Sequence, residues 1–199
     1  ACAVIAEALS PDGTEAGFAR LMTQRAQKMG MTNSTFANSN GWPQAGHLMS
    51  MRDLALLARR IITDFPQYYP LFAEKEYLFD ANEASNRFNR NPLLGLGIGA
   101  DGLKTGHTQE AGYGLVGSAV QDDRRIIFVL SGMPSAEARA EEAEAVVNWA
   151  FRQFAQRPLG KAGQRIAQAD VWMGQSKTVG LTLDQDLNVL LPVLAGDDI

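Results

Sequence analysis

Asp101-Gly102-Leu103-Lys104-Thr105-Gly106-His107-Thr108 places one ammonium and two hydroxyls on a short run punctuated by two glycines. The run reads as a strand in the wall of a binding cleft. Gly102 and Gly106 are expected to leave the backbone bare on either side of Lys104 and Thr105, so that an extended, peptide-like ligand can approach closely. Lys104 would supply a point positive charge and Thr105 a hydroxyl. The amide of His107 would be a donor aimed at developing negative charge.

Working outward, Tyr113 to Gln121 and Arg125 to Met133 read as two further strands, joined by the tight turn at Asp122-Asp123, which makes an antiparallel meander. Gly97-Ile98-Gly99-Ala100-Asp101-Gly102 has the letters of a dinucleotide-binding glycine run. That motif opens a helix, whereas here a strand follows, so the glycines are read as shaping the approach to Lys104. Glu74 to Asp80 alternates charged and apolar residues and predicts a short exposed strand, and Asn82 to Asn91 a polar loop.

Helices flank this core. Ala1 to Leu9 is helix-forming and without an N-cap, with Cys2 read as a small buried thiol. Thr14 caps a helix whose apolar side is Phe18, Leu21, Met22, Ala26 and Met29, ending at Gly30. Ser50 caps another, with Asp53 in its first turn and Leu54, Leu57, Ala58, Ile61 and Ile62 as its buried stripe. After Pro134-Ser135 a long helix is predicted to pack on the sheet through Ala138, Glu142, Ala145, Val146, Trp149, Ala150, Phe151 and Phe154. The fold class is therefore α+β, an antiparallel sheet covered by helices. Arg157 to Gly163 has linker composition, and Ile166 to Met173, Thr178 to Thr182 and Leu187 to Val193 read as β.

The chain has 199 residues, is 46% hydrophobic, and carries a net charge of -4. That balance gives no attraction to nucleic acid or anionic membrane surfaces. No apolar run approaches the roughly 20 residues of a membrane-spanning helix. One cysteine and two histidines exclude an internal disulfide and a zinc set. No metal and no cofactor are expected.

Lys104-Thr105-Gly106 is one part of a three-part signature of penicillin-binding proteins and class A β-lactamases, whose other parts are Ser-x-x-Lys and Ser-Asp-Asn. With its surroundings, Asp101 to Thr108 followed by Ala111-Gly112-Tyr113-Gly114-Leu115-Val116, it resembles the low-molecular-weight D-alanyl-D-alanine carboxypeptidases, peptidase family S11. Gly30-Met31-Thr32-Asn33-Ser34-Thr35-Phe36 and Asn89-Arg90-Asn91 resemble that family too, and the similarity runs through most of Ala1 to Phe154. One departure stands out: none of the nine serines has Lys three residues later or Asn two residues later.

The resemblance implies a penicillin-recognising fold and a serine-type carboxypeptidase that removes the terminal D-Ala from peptidoglycan peptides through an acyl-enzyme. The nucleophilic serine and its lysine would lie outside this chain. It implies Lys104, Thr105, Gly106 and His107 as catalytic residues, with Lys104, Thr105, Arg139 and Arg90 holding the substrate. Arg139, 35 residues after Lys104, is the first candidate for the terminal carboxylate, and Arg90 the second. The implied partners are the pentapeptide ending in D-Ala-D-Ala and β-lactam antibiotics. The implied location is the periplasm or another extracytoplasmic space, with anchoring to the inner membrane through a C-terminal segment outside this chain left open. The expected organisation is residues 1–157 as the C-terminal part of the catalytic domain, 158–163 as linker and 164–199 as the start of an all-β second domain. A β-lactamase or transpeptidase of the same superfamily, and a non-catalytic cell-wall-binding relative, are the alternatives.

Overall fold

Capping side chains start the two longer N-terminal helices where the sequence placed them. In the computed structural model, which describes residues 2–79 and 81–194, Thr14 accepts from the Gly17 amide to open α2 (Glu15–Lys28), numbered after α1 (Cys2–Leu9). Ser50 accepts from the Asp53 amide to open α3 (Met51–Asp64). Each such bond satisfies one donor the first turn leaves unpaired. Gly30, at φ +90°, turns the chain out of α2, and Met31 N donates back to Ala26 O at 2.9 Å. Asp53 is fully buried, and its Oδ2 accepts from Asn33 N at 2.8 Å and Ser34 Oγ at 2.7 Å. Burial pushes that carboxyl up. The bonds from Ser34, Asn33 and Ser50, with Arg52 nearby, nevertheless hold it below the usual carboxylate range. The Gly30 to Phe36 stretch is thus tied to α3 by a charge.

The predicted meander forms as β1 (Ala100–Thr108), β2 (Gly112–Gln121) and β3 (Arg124–Met133), in the order β1-β2-β3, antiparallel throughout. α3 packs on it. Ala58, Tyr69 and Leu103 form a buried cluster, with Ile61, Ile62, Phe72, Val116 and Ile127 packed around them. A nearly fully buried aliphatic side chain such as Leu103 contributes about 1.5–3 kcal/mol, which helps to fix β1 against the helix.

Several expectations are corrected. Cys2 is exposed. It lies one turn before Ala6, the buried residue of α1, at the end of the helix, where no described residue covers it. The strand expected over Glu74 to Asp80 is an isolated bridge between Glu76 and Phe88, and Asp80 lies outside the described residues. A ladder needs a partner over several residues; here the facing segment is a 3-10 turn, residues 81–87. The final long helix, α4 (Ala136–Gln153), buries Arg139, Ala143 and Val147, while Glu142, Ala145 and Trp149 face outward. Its buried row, Arg139, Ala143 and Val147 at a spacing of four, follows a helix face that does not carry the largest apolar side chain, Trp149.

The chain divides after Val147 into two compact units. In the second, β4 (Phe154–Gly160) pairs with β7 (Leu187–Pro192), and β5 (Arg165–Asp170) with β6 (Thr178–Thr182). Arg157, Pro158, Leu159 and Gly160 therefore lie in a strand and not in a linker. Pro158 is tolerated because a two-stranded ladder leaves one edge of each strand free of donor requirements, and the register shifts between Pro158 and Gly160.

Candidate active site

Among the described strands β1 has β2 on one side and an open edge on the other. Lys104 faces Val116 across the ladder, Thr105 faces Leu115, Gly106 faces Gly114, and His107 faces Tyr113. The two glycines of the motif do different jobs. A Cβ added at Gly106 would meet nothing within 4 Å, so the space beside this residue is free for an outside occupant. A Cβ at Gly102 would lie 2.7 Å from the Tyr69 hydroxyl. Gly102 is buried, and its missing side chain makes room for the protein itself, which corrects the expectation that both glycines bare the strand for a ligand.

Around Gly102 the chain builds a polar clamp. Tyr69 Oη donates to Asp101 Oδ1 at 2.8 Å, and Asn91 Nδ2 donates to Gly102 O at 3.0 Å. Arg125 forks onto the Asp101 carboxylate at 2.9 and 2.8 Å, donates to Ser118 Oγ at 2.6 Å, and stands over the Tyr69 ring at 5.1 Å. Burial pushes the Tyr69 hydroxyl up to about 12, with the Asp101 carboxylate adding to the effect. Asp101 and Arg125 are about one-third exposed, so removing one partner would cost about 1–3 kcal/mol, below the value for a dry pair. The clamp anchors β1 just ahead of Lys104. Neither Tyr69 nor Arg125 was singled out from sequence; Arg125 and Tyr69 are 56 residues apart.

Lys104, Arg90 and Arg139 are brought together by the fold. Burial lowers the ammonium of Lys104 below its ordinary value, and the guanidiniums of Arg90 and Arg139 lower it further. Lys104 Nζ donates to Thr105 O at 2.6 Å, and Arg90 donates to Asn86 Oδ1 at 3.1 Å. Arg139 is 8% exposed, and its Nε has no hydrogen-bond partner. Among the described residues no carboxylate forms a salt bridge with any of the three. A nearly buried arginine without an anion, beside two further cations, is a site shaped for a negative ligand. Thr105, half-buried, and the exposed His107 follow on the same strand.

Below this rim lies a cavity of about 400 Å³, walled by Leu54, Leu57, Ala58 and Ile61 of α3, by Phe72, and by Lys104 to Thr108 with their β2 and β3 neighbours. Its α3 side is aliphatic. Lys104 thus belongs both to the cationic cluster and to the wall of this largely apolar hollow.

Residues 1–135 match the D-alanyl-D-alanine carboxypeptidase family, peptidase S11. This chain belongs to that family. The family chain is 33% identical over 193 residues to the D-alanyl-D-alanine carboxypeptidase DacA of Escherichia coli K12, a match covering 96% of this chain and 47% of the relative. Penicillin binding protein 5 from Haemophilus influenzae superposes with a TM-score of 0.80 at 32% identity, over 96% of this chain and 55% of that one. Penicillin-Binding Protein D2 from Listeria monocytogenes, in its cefotaxime-bound form, gives 0.65 at 29% identity, over 75% of this chain and 60% of that one. The fold is accordingly the α+β penicillin-recognising fold. The chain spans about half the length of the curated relatives it matches.

Proposed function

We propose that this chain is the substrate-holding part of a serine-type D-alanyl-D-alanine carboxypeptidase that takes the terminal D-Ala from peptidoglycan peptides and is acylated by β-lactams. The observation that carries this reading is the cluster of Lys104, Arg90 and Arg139 beside the open edge of β1, with the Nε of a nearly buried Arg139 unpartnered. A peptide ending in D-Ala-D-Ala lies along β1 as an added strand, with Gly106 giving it room. Its terminal carboxylate meets Arg139, with Arg90 as the second cation. Thr105 Oγ donates to the same end of the peptide. Lys104 keeps the site electropositive, and the His107 amide forms one half of the oxyanion hole.

The attacking hydroxyl comes from a serine outside this chain, because no serine within it has the lysine spacing of the family motif. In the first step that hydroxyl adds to the carbonyl between the two D-alanines, its proton passing to the neighbouring lysine. Collapse of the oxyanion then expels D-Ala, and water later cleaves the ester. The aliphatic hollow beneath β1 suits the apolar face of a helix and not a charged peptide, so we place the segment bearing the serine there. We also place the protein in the periplasm, where such peptides are found, and read residues 1–157 as part of its catalytic domain.

The complete protein should release free D-alanine from a peptide acid ending in D-Ala-D-Ala, and preincubation with penicillin should stop the release. A complete protein that takes up labelled penicillin but never frees D-alanine would point to a transpeptidase; one that does neither would support a non-catalytic relative.

A further inference from the structure

We propose that Tyr113 is the positioning residue of the carboxylate-binding site, holding Arg139 in its binding pose and coupling it to the strand that ends in His107. The inference rests on the carboxypeptidase reading and adds a residue to it. Tyr113 faces His107 across the β1–β2 ladder, and the two rings stack with centroids 3.9 Å apart at 29°. The same ring carries Arg139, whose guanidinium carbon lies over it at 5.7 Å. One aromatic side chain therefore touches both the residue whose amide serves the oxyanion and the arginine that awaits the carboxylate.

The backbone around this ring links β2 to the start of α4. The β2–β3 register slips between Tyr113 and Leu115, so that Tyr113 faces Met133 while Leu115 faces Leu130, which leaves Ser131 and Gly132 as the bulge on β3. Gly132 has φ +78°, a conformation that favours glycine, and its amide donates to Ala111 O at 3.0 Å. A bulge bends the strand and redirects its side chains. Here the bulge lies on the strand that faces Tyr113, and Met133-Pro134-Ser135 then leads directly into α4. Ser135 Oγ accepts from Ala138 N at 3.0 Å, and Arg139 N donates to Ser135 O at 3.1 Å, so Arg139 sits in the first turn of α4 on a fixed backbone. A second cavity of about 380 Å³ opens beside the ring, lined by His107 to Tyr113 and Gly132 to Pro134.

What the backbone does not fix is the long side chain of Arg139. Its Nε has no hydrogen-bond partner and it forms no salt bridge among the described residues. Glu137 is the carboxylate that feels its charge. The ring face of Tyr113 is the contact that orients the guanidinium, and such a contact leaves the donor edge of the fork free for a bidentate anion. A hydrogen-bonding partner in the same place would compete with the ligand for those donors; a ring does not.

The test uses the complete protein with Tyr113→Leu, Tyr113→Phe, Arg139→Ala and the Tyr113→Leu/Arg139→Ala double variant. Acylation efficiency is measured for a D-Ala-D-Ala peptide acid and its C-terminal amide. Tyr113→Leu should lose about 5- to 10-fold on the acid, the scale of one desolvated cation–ring contact, and several-fold less on the amide. Tyr113→Phe should recover most of that loss, since the ring and not the hydroxyl is the agent. In the double variant Tyr113→Leu should add almost nothing to the Arg139→Ala loss. Equal losses on acid and amide, or full additivity, would overturn the assignment.

A second readout is independent of turnover. The side-chain Nε–H resonance of Arg139, assigned by its absence in Arg139→Ala, should move in Tyr113→Leu as the ring's field disappears. If neither ligand acylates the native protein the carboxypeptidase reading fails, yet this resonance still decides whether Tyr113 holds Arg139: a shift supports it, and an unmoved signal refutes it.

Discussion

Lys104→Ala is expected to lower acylation of the complete enzyme by both penicillin and peptide about 100- to 1,000-fold, the scale seen when one preorganised electrostatic group is removed from a site of developing negative charge. The structure gives the reason. Lys104 follows the Asp101–Arg125–Tyr69 clamp on a strand anchored against α3, and it forms no salt bridge with a carboxylate among the described residues. Its charge is therefore not neutralised by any described carboxylate. Lys104→Arg keeps the charge but changes its shape and reach, and should recover part of the loss.

The pH dependence follows with a definite sign. Burial first, then Arg90 and Arg139, hold the Lys104 ammonium below its ordinary 10.5. The protonated form is the working one, so as pH rises its charge is lost earlier than an unperturbed lysine would lose it. The alkaline limb of acylation efficiency should fall at a correspondingly lower pH. Arg90→Ala removes one like charge and should move that limb upward, and Lys104→Arg should abolish it, because a guanidinium stays protonated throughout. An alkaline limb that is identical in all three proteins would take Lys104 out of the titrating role.

Arg139→Ala is expected to cost about 30- to 150-fold in acylation efficiency on ligands bearing the terminal carboxylate. That corresponds to roughly 2 to 3 kcal/mol for one charge-assisted hydrogen bond in a partly desolvated site. Arg139 is 8% exposed, and its Nε is left without a partner, which is the observation behind the carboxylate-binding role we propose for it. The D-Ala-D-Ala peptide and the penicillin nucleus both present a carboxylate and should depend on it alike. The C-terminal amide of the same peptide has lost that charge already and should be nearly indifferent to the substitution. Equal losses on acid and amide would make Arg139 a structural residue; no loss on either would pass the carboxylate to Arg90 or Thr105.

The parts of this fold that were legible in the sequence are those written in local signals. Ser50 and Thr14 cap helices because their side chains reach amides three residues on, and the meander of β1 to β3 follows from three consecutive strand-like runs, the last two joined by the tight turn at Asp122-Asp123. The buried row of α4 was not legible. Trp149 and Ala145 carry the hydrophobic weight of that helix, yet the buried residues are Arg139, Ala143 and Val147, and the Arg139 guanidinium lies over the Tyr113 ring, a contact between distant residues that periodicity cannot register. Gly102 and Gly106 look alike in the sequence, and only the placement of Tyr69, 33 residues upstream of Gly102, separates a packing glycine from one that leaves room for a ligand. The cationic cluster itself unites residues 90, 104 and 139, which no local spacing connects; family resemblance named them, and the fold brought them together. Tyr113 carried no sequence signal beyond its place in a strand and in the Ala111 to Val116 run that resembles the family.

The central claim is that this chain supplies the binding wall and the charges of a penicillin-recognising site, while the nucleophile comes from a segment outside it. The most direct measurement treats the 199-residue chain and the complete protein with a fluorescent penicillin, denatures both, and looks for label that stays covalently attached. The account predicts label on the complete protein, lost on replacing its motif serine, and none on the isolated chain. Covalent label on the isolated chain would contradict it, since one of the serines present here would then have to be the nucleophile.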